Sequence, residues 1–187
     1  MAAFVIKYVR VNGASTGAAG GTANNDTDAW NLAQAVANYA PGQEVRLINN
    51  GTYTLTGNTT LATSGTTVNH VLWIGRNSGN TSYENVYIDA VSYYVYLSGS
   101  YIKMAYIDIY STNVGWVVRM EATQILYRCK IKNGNKTVTN DIAGAIFTND
   151  SGVSLIECYL ENSLPYGISS YAIQGTIYTA NRAHIVN

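Results

Sequence analysis

Near the C-terminal end of the chain, hydrophobic and polar positions alternate in three short segments of one design. They are Arg128-Cys129-Lys130-Ile131-Lys132-Asn133, Glu157-Cys158-Tyr159-Leu160-Glu161-Asn162 and Arg182-Ala183-His184-Ile185-Val186-Asn187, and Tyr106-Ile107-Asp108-Ile109-Tyr110-Ser111 is a looser copy. The steps between copies are 22 residues (111 to 133), 29 (133 to 162) and 25 (162 to 187). Alternation predicts strands with one buried face. Repetition at this period predicts a solenoid, in which each unit stacks on the next to complete a core that none could bury alone.

Laid over one another, the repeats give columns. Ile107, Cys129, Cys158 and Ala183 form one inward column, and Ile109, Ile131, Leu160 and Ile185 form a second, two residues on. A further strand in each coil supplies a third aliphatic column: Val95, Val117, Ile146 and Ile168. Outward columns read Tyr106, Arg128, Glu157, Arg182; Asp108, Lys130, Tyr159, His184; and Tyr110, Lys132, Glu161, Val186. Opposite charges thus fall above one another, as a parallel stack prefers. Asn133, Asn162 and Asn187 follow the strand, where side-chain amides stack and bond neighbouring backbone.

The N-terminal part reads differently. Phe4 to Val11 is β-branched and alternating, a strand, and a Gly-, Ala- and Thr-rich loop runs from Asn12 to Asn25. Residues 26–40 predict a helix: Asp26 or Thr27 as N-cap, Asp28 in the first turn, Trp30, Ala33, Val36 and Ala37 at helical spacing, and Pro41-Gly42 as the stop. A strand, an Asn-Gly turn and a second strand follow over Glu44–Leu55, and Val71-Leu72-Trp73-Ile74 is the clear strand before the repeats begin at Val86.

Composition narrows the options. With 187 residues, 47% hydrophobic, one domain spanning 1–187 is expected, made of 1–25 (strand and loop), 26–40 (capping helix) and 41–187 (coils). Charged residues are 12% and net charge is zero, which disfavours nucleic-acid and acidic-membrane partners. No run approaches ~18 apolar residues, so no membrane-spanning helix is predicted, and the N-terminus lacks the plan of a secretory signal. Cys129 and Cys158 match no zinc or redox spacing and are expected as free, inward thiols, although strands ~4.8 Å apart would also permit a disulfide. No cofactor or metal motif is found.

The order Asn25-Asp26-Thr27-Asp28-Ala29-Trp30, a helix, Pro41-Gly42, a Val-rich strand and Gly51-Thr52-Tyr53 resembles the leading segment of parallel β-helix proteins of the pectate-lyase-like superfamily. That superfamily includes polysaccharide lyases and hydrolases and the tailspikes and fibres of bacteriophages. The resemblance covers residues 22–55, and the repeats agree with it in architecture. It implies an all-β fold: a single-stranded right-handed parallel β-helix with an N-terminal capping helix. The preference for right-handed crossovers supports the hand.

Two constellations are candidates for function. Asp108, Arg128, Lys130 and Glu157 suit a polysaccharide lyase or glycoside hydrolase acting on acidic polysaccharide, which needs a cation, a base or a carboxyl pair. The same charges also read as a ladder of cross-strand ion pairs, and that reading is preferred because each has an opposite partner in register. His184 shares the Asp108–Lys130 column, and His70 suggests no role. Tyr94, Tyr96, Trp116 and Phe147, with Val118, are expected to face outward together, a patch suited to carbohydrate or to another copy of the chain. Asn187 closes a patterned repeat without a polar cap, so either a longer chain or a covering partner is expected there. The leading expectation is a structural and adhesive component of a phage virion or surface fibre: a homotrimer or larger assembly, extracellular or on the virion, and carbohydrate-binding at its aromatics. The lyase or hydrolase is its rival, and a plain scaffold domain of a bacterial surface protein is a weaker third.

Overall fold

The structure, a computed structural model, describes residues 4–112, 115–121, 123–134, 144–148, 152–162, 171–175, 179–181 and 184–186, the last three segments through their backbone. Strand β1 (Val5–Val9) and helix α1 (Leu32–Asn38) precede the coils. Each coil then contributes one strand to each of three sheets: β2 (Gln43–Ile48), β3 (Tyr53–Thr54) and β4 (Thr59–Leu61), then β5 (Val71–Arg76), β6 (Val86–Asp89) and β7 (Val95–Leu97). The pattern continues with β8 (Ile102–Ala105), β9 (Ile107–Ser111) and β10 (Trp116–Met120), then β11 (Ile125–Tyr127), β12 (Lys130–Asn133) and β13 (Gly144–Thr148). It ends with β14 (Ser154–Ile156), β15 (Tyr159–Asn162) and β16 (Tyr171–Gly175), and with β17 (Thr179–Asn181) and β18 (His184–Val186).

The first sheet runs β1-β2-β5-β8-β11-β14-β17, the second β3-β6-β9-β12-β15-β18 and the third β4-β7-β10-β13-β16, every pairing parallel. The chain is therefore an all-β parallel β-helix. Inward side chains of the three sheets make one continuous core, including Leu47, Ile102, Ile109, Ile131, Ile146 and Leu160. The register of the second sheet is the one expected: Ile109, Ile131, Leu160 and Ile185 pair in one row, and Asp108, Lys130, Tyr159 and His184 in the next. Cys129 and Cys158 are buried free thiols. Asn133 and Asn162 end their strands in register and are buried. Ala183, Arg182, Asn187 and Ile168 lie outside the described residues.

Three expectations need correction. The helix is capped at Asn31, not at Asp26 or Thr27, and the Asn31 side chain accepts from the Gln34 N–H. The reason is that Trp30 is already committed, pairing in parallel with Val9, donating its N–H to Tyr8 and accepting from Arg10. Asp28 sits instead in a turn closed by the Asn25 side chain, before the helix. The Gly-rich loop folds over the same Trp30, tied down by Lys7, whose ammonium donates to the carbonyls of Ala18 (3.1 Å) and Gly20 (2.6 Å). Gly13 permits this approach, since a Cβ there would lie 2.1 Å from the Trp30 carbonyl oxygen.

Second, the third aliphatic column is shifted. Val118, not Val117, pairs with Val95 and Ile146, and Ile146 pairs with Ile173. Val118 is thus buried and not outward-facing; Val117 and Val118 are both fully buried, so the alternation that should reveal parity is broken there. Third, Tyr106, Arg128 and Glu157 are not strand residues. They stand at the corners between the first and second sheets, Tyr106 alone and Arg128 and Glu157 each followed by a cysteine, in left-handed conformation with φ of 56°, 50° and 52°. For non-glycine residues that conformation costs roughly 1–2 kcal/mol each. The side chains then stack along the corner.

Candidate functional site

Two outer faces carry the residues singled out from the sequence. On the second sheet, Asp108 and Lys130 are register partners, yet the ammonium does not close on the carboxylate. Asp108 accepts from the Asn85 amide at 2.5 Å and from the Lys130 backbone N–H at 3.2 Å. The Lys130 ammonium lies 4.8 Å from the centre of the Tyr159 ring instead. Next to them Lys132 pairs with Glu161 at 2.6 Å, and that carboxylate holds the ammonium above its ordinary pKa. Tyr87, Asp108, Tyr110, Lys130 and Lys132 line a shallow groove of about 350 Å³.

Arg128 and Glu157 stand apart from that groove, at the corner. Arg128 Nε donates to Glu157 at 2.5 Å, one guanidinium nitrogen donates to the Tyr106 hydroxyl at 3.1 Å, and the group lies over the Tyr127 ring at 5.1 Å. Tyr83 stacks on Tyr106 with centroids 5.1 Å apart, and Arg76 covers Tyr83 at 4.5 Å. The four residues considered for catalysis are therefore divided: Asp108 and Lys130 in a groove, Arg128 and Glu157 in a corner ladder. Opposite charge in adjacent coils is real for Arg128–Glu157 and Lys132–Glu161, but it is replaced by a cation over a ring for Lys130.

On the third sheet, the aromatic face contains a residue that sequence reasoning missed. Tyr96, Arg119 and Phe147 occupy one row across β7, β10 and β13. The Arg119 guanidinium sits between the two rings, 4.6 Å from the Tyr96 centroid and 5.6 Å from that of Phe147. Glu121 fixes the stack from the side, accepting from the Tyr96 hydroxyl and lying 3.8 Å from Arg119. The carboxylate also pushes the Tyr96 phenol up, because it bonds the protonated form. Trp116, expected on this row, shares instead the parity of Val118 and pairs with Gly144, and it reaches the face through its ring, which leans on Phe147 with centroids 5.5 Å apart. Tyr94 stands at the start of β7, where its N–H donates to the Asn58 side chain. Once Val118 is placed inward, its neighbour Arg119 must face outward, so the register was the signal that could have found it.

Each cation over a ring is worth about 0.5–1 kcal/mol at an exposed site, and the larger effect is order. A guanidinium held by two rings and a carboxylate loses little further freedom when it meets a partner. Among the described residues no three His, Cys, Asp or Glu side chains are grouped as a metal site would need, and no helix is long and apolar enough to cross a membrane.

No family model matches the chain, and no curated protein sequence matches it. Among solved structures, the crystal structure of pectate lyase Pel9A is similar with a TM-score of 0.53 at 14% identity, over 94% of this chain and 58% of that one. The chain spans little more than half the length of that protein. At this identity the likeness shows the fold alone, and it agrees with the three parallel sheets: the chain is a parallel β-helix.

Proposed function

We propose that the chain is a structural and adhesive β-helix module, a component of a phage virion or other extracellular fibre, assembled as a homotrimer or within a larger particle. Its contact surface is the third sheet, where Tyr94, Tyr96, Trp116 and Phe147 meet either glycan rings or another copy. The observation that carries this reading is the placement of Arg119 between Tyr96 and Phe147. It makes a preorganised, half-exposed platform, of the aromatic and arginine composition that interfaces favour.

Light scattering of the purified chain at micromolar concentration tests the assembly. A stable oligomer that Phe147→Asp dissociates supports it, and a clean monomer refutes it.

A second reading is favoured by the groove of the second sheet. Lys130 and Lys132 beside Asp108 offer cations and a carboxylate to an acidic polysaccharide, and the fold is one that a pectate lyase also uses. This reading requires turnover of an acidic polysaccharide that Lys130→Ala and Asp108→Asn abolish while the melting temperature is kept. Variants that only lower the melting temperature leave the structural role.

A further inference from the structure

The outer face of the first sheet departs from the rest of the surface. In β5, β8, β11 and β14 its half-buried positions are Leu72, Ile74 and Arg76, Lys103 and Ala105, Ile125 and Tyr127, Ser154 and Ile156. Lys103 is thus an ammonium set in register between Leu72 and Ile125.

The other basic side chains that the structure describes are matched. Arg10, Arg46, Arg119, Arg128 and Lys132 each have a carboxylate. Lys7 donates to two carbonyls, and Arg76 and Lys130 lie over tyrosine rings. Among the described residues, Lys103 is the basic side chain without such a partner. The acidic group in its own row, Glu44, is two strands away, about 10 Å, and already binds Arg46 at 2.6 Å.

Lys103 opens into a hollow of about 500 Å³, lined also by His70, Tyr101, Thr123, Ile125 and Ser154. That volume lies within the range of small-molecule sites, which are mostly apolar with a few placed polar groups. The His70 and Tyr101 rings are parallel, with centroids 5.9 Å apart, and form one end. Burial lowers the pKa of Lys103, and burial together with Lys103 lowers that of His70, which disfavours a charged imidazole beside the ammonium.

From this placement we infer that the hollow is a binding site for a carboxylated sugar carrying an N-acetyl group, its carboxylate on Lys103 and its acetyl methyl against Ile125 and the Tyr101–His70 end. The carboxylate supplies the missing counter-charge, in surroundings less polar than water where the attraction is stronger. A simple anion would leave the apolar wall uncovered. A sugar rich in free hydroxyls would ask for more polar partners than Thr123, Ser154 and His70 provide. The acetamido group resolves both, with its methyl on the wall and its N–H and carbonyl towards the hydroxyls. The inference rests on the adhesive reading only in taking the ligand to be a sugar; it places the contact on the first sheet and not on the third.

The test is a titration of the full chain with N-acetylneuraminate, N-acetylglucosamine and sodium acetate, followed by the NMR signals of the His70 ring. N-acetylneuraminate should shift them saturably and bind about tenfold or more tighter than either of the others. Lys103→Met should weaken it by about the same factor, and Lys103→Arg should restore most of the affinity. Met fits between Leu72 and Ile125, so its melting temperature should hold and certify the fold. Equal affinity in Lys103→Met, or N-acetylglucosamine or acetate binding as well as N-acetylneuraminate, overturns the inference. If Phe147→Asp abolishes binding while Lys103→Met does not, the glycan site is on the third sheet: this inference fails and the adhesive reading stands. If the chain is a monomer yet binds through Lys103, the assembly fails and the site stands.

Discussion

The outer faces of the first and second sheets are built on the same backbone and solve opposite problems. The second sheet repeats a polar design in which each coil supplies what the next one needs: Arg128 to Glu157, Lys132 to Glu161, Lys130 to Tyr159. Beyond the Arg46–Glu44 pair of β2, the first sheet is mostly aliphatic on both sides from β5 to β14, and Lys103 interrupts it without a matching group. A β-helix is held by its inward rows, so its outward rows are free to vary. Where they are matched they serve the stack. Where they are not matched they are available to something outside it.

Substitutions along the second sheet and its following turn sharpen the distinction between holding and displaying. Ile131→Ala, at a fully buried inward position of β12, should cost about 2–5 kcal/mol, read as a lower denaturation midpoint. At Val91, a β-branched residue is held at φ 55° with 42% exposure, and Val91→Gly should raise stability by about 0.5–1 kcal/mol once the entropy of glycine is set against the relieved strain. On the outer row, a double-mutant cycle of Lys132→Ala and Glu161→Ala should give a coupling of only about 0.2–1 kcal/mol, falling with salt. A value near that of Ile131 would mean that the outer rows hold the fold, and the contrast would be lost.

The smallest expected effect concerns pH. His70 is held below its ordinary value of 6.5 by burial and by Lys103. Around and below that value the unfolded chain therefore binds more protons than the folded one, and stability should fall as pH drops below it. Above 6.5 the contribution is complete. His70→Gln should flatten that part of the profile, and an unchanged slope would show that neither burial nor Lys103 shifts the ring.

The second sheet was legible in the sequence because its inward aliphatics and outward charges alternate cleanly, which fixes parity without other information. The third sheet was misread by one residue at β10 because Val117 and Val118 are both buried, and with the parity went Arg119. The helix start was misread because Asp26, Thr27 and Asp28 are good capping residues, while the tie that overrules them is a long-range pairing of Trp30 with Val9. The corners escaped for a similar reason: positive φ at Tyr106, Arg128 and Glu157 is imposed by the stack and has no mark in residue type. Lys103 drew no notice because a lysine between aliphatic residues is ordinary until its neighbours across strands are known.

From β8 onward those short corners also act as a phase clock. A single residue separates β8 from β9, and β11 and β14 reach their partners through Arg128-Cys129 and Glu157-Cys158, whereas nine residues lie between Arg76 and Val86 in the coil before. In the coils that begin with β8, β11 and β14 variation enters past the second sheet: four residues lie between Ser111 and Trp116, ten between Asn133 and Gly144, and eight between Asn162 and Tyr171. Grafting or trimming loops at that junction should leave the rest of the coil in time, so it is where such a scaffold can gain a new surface.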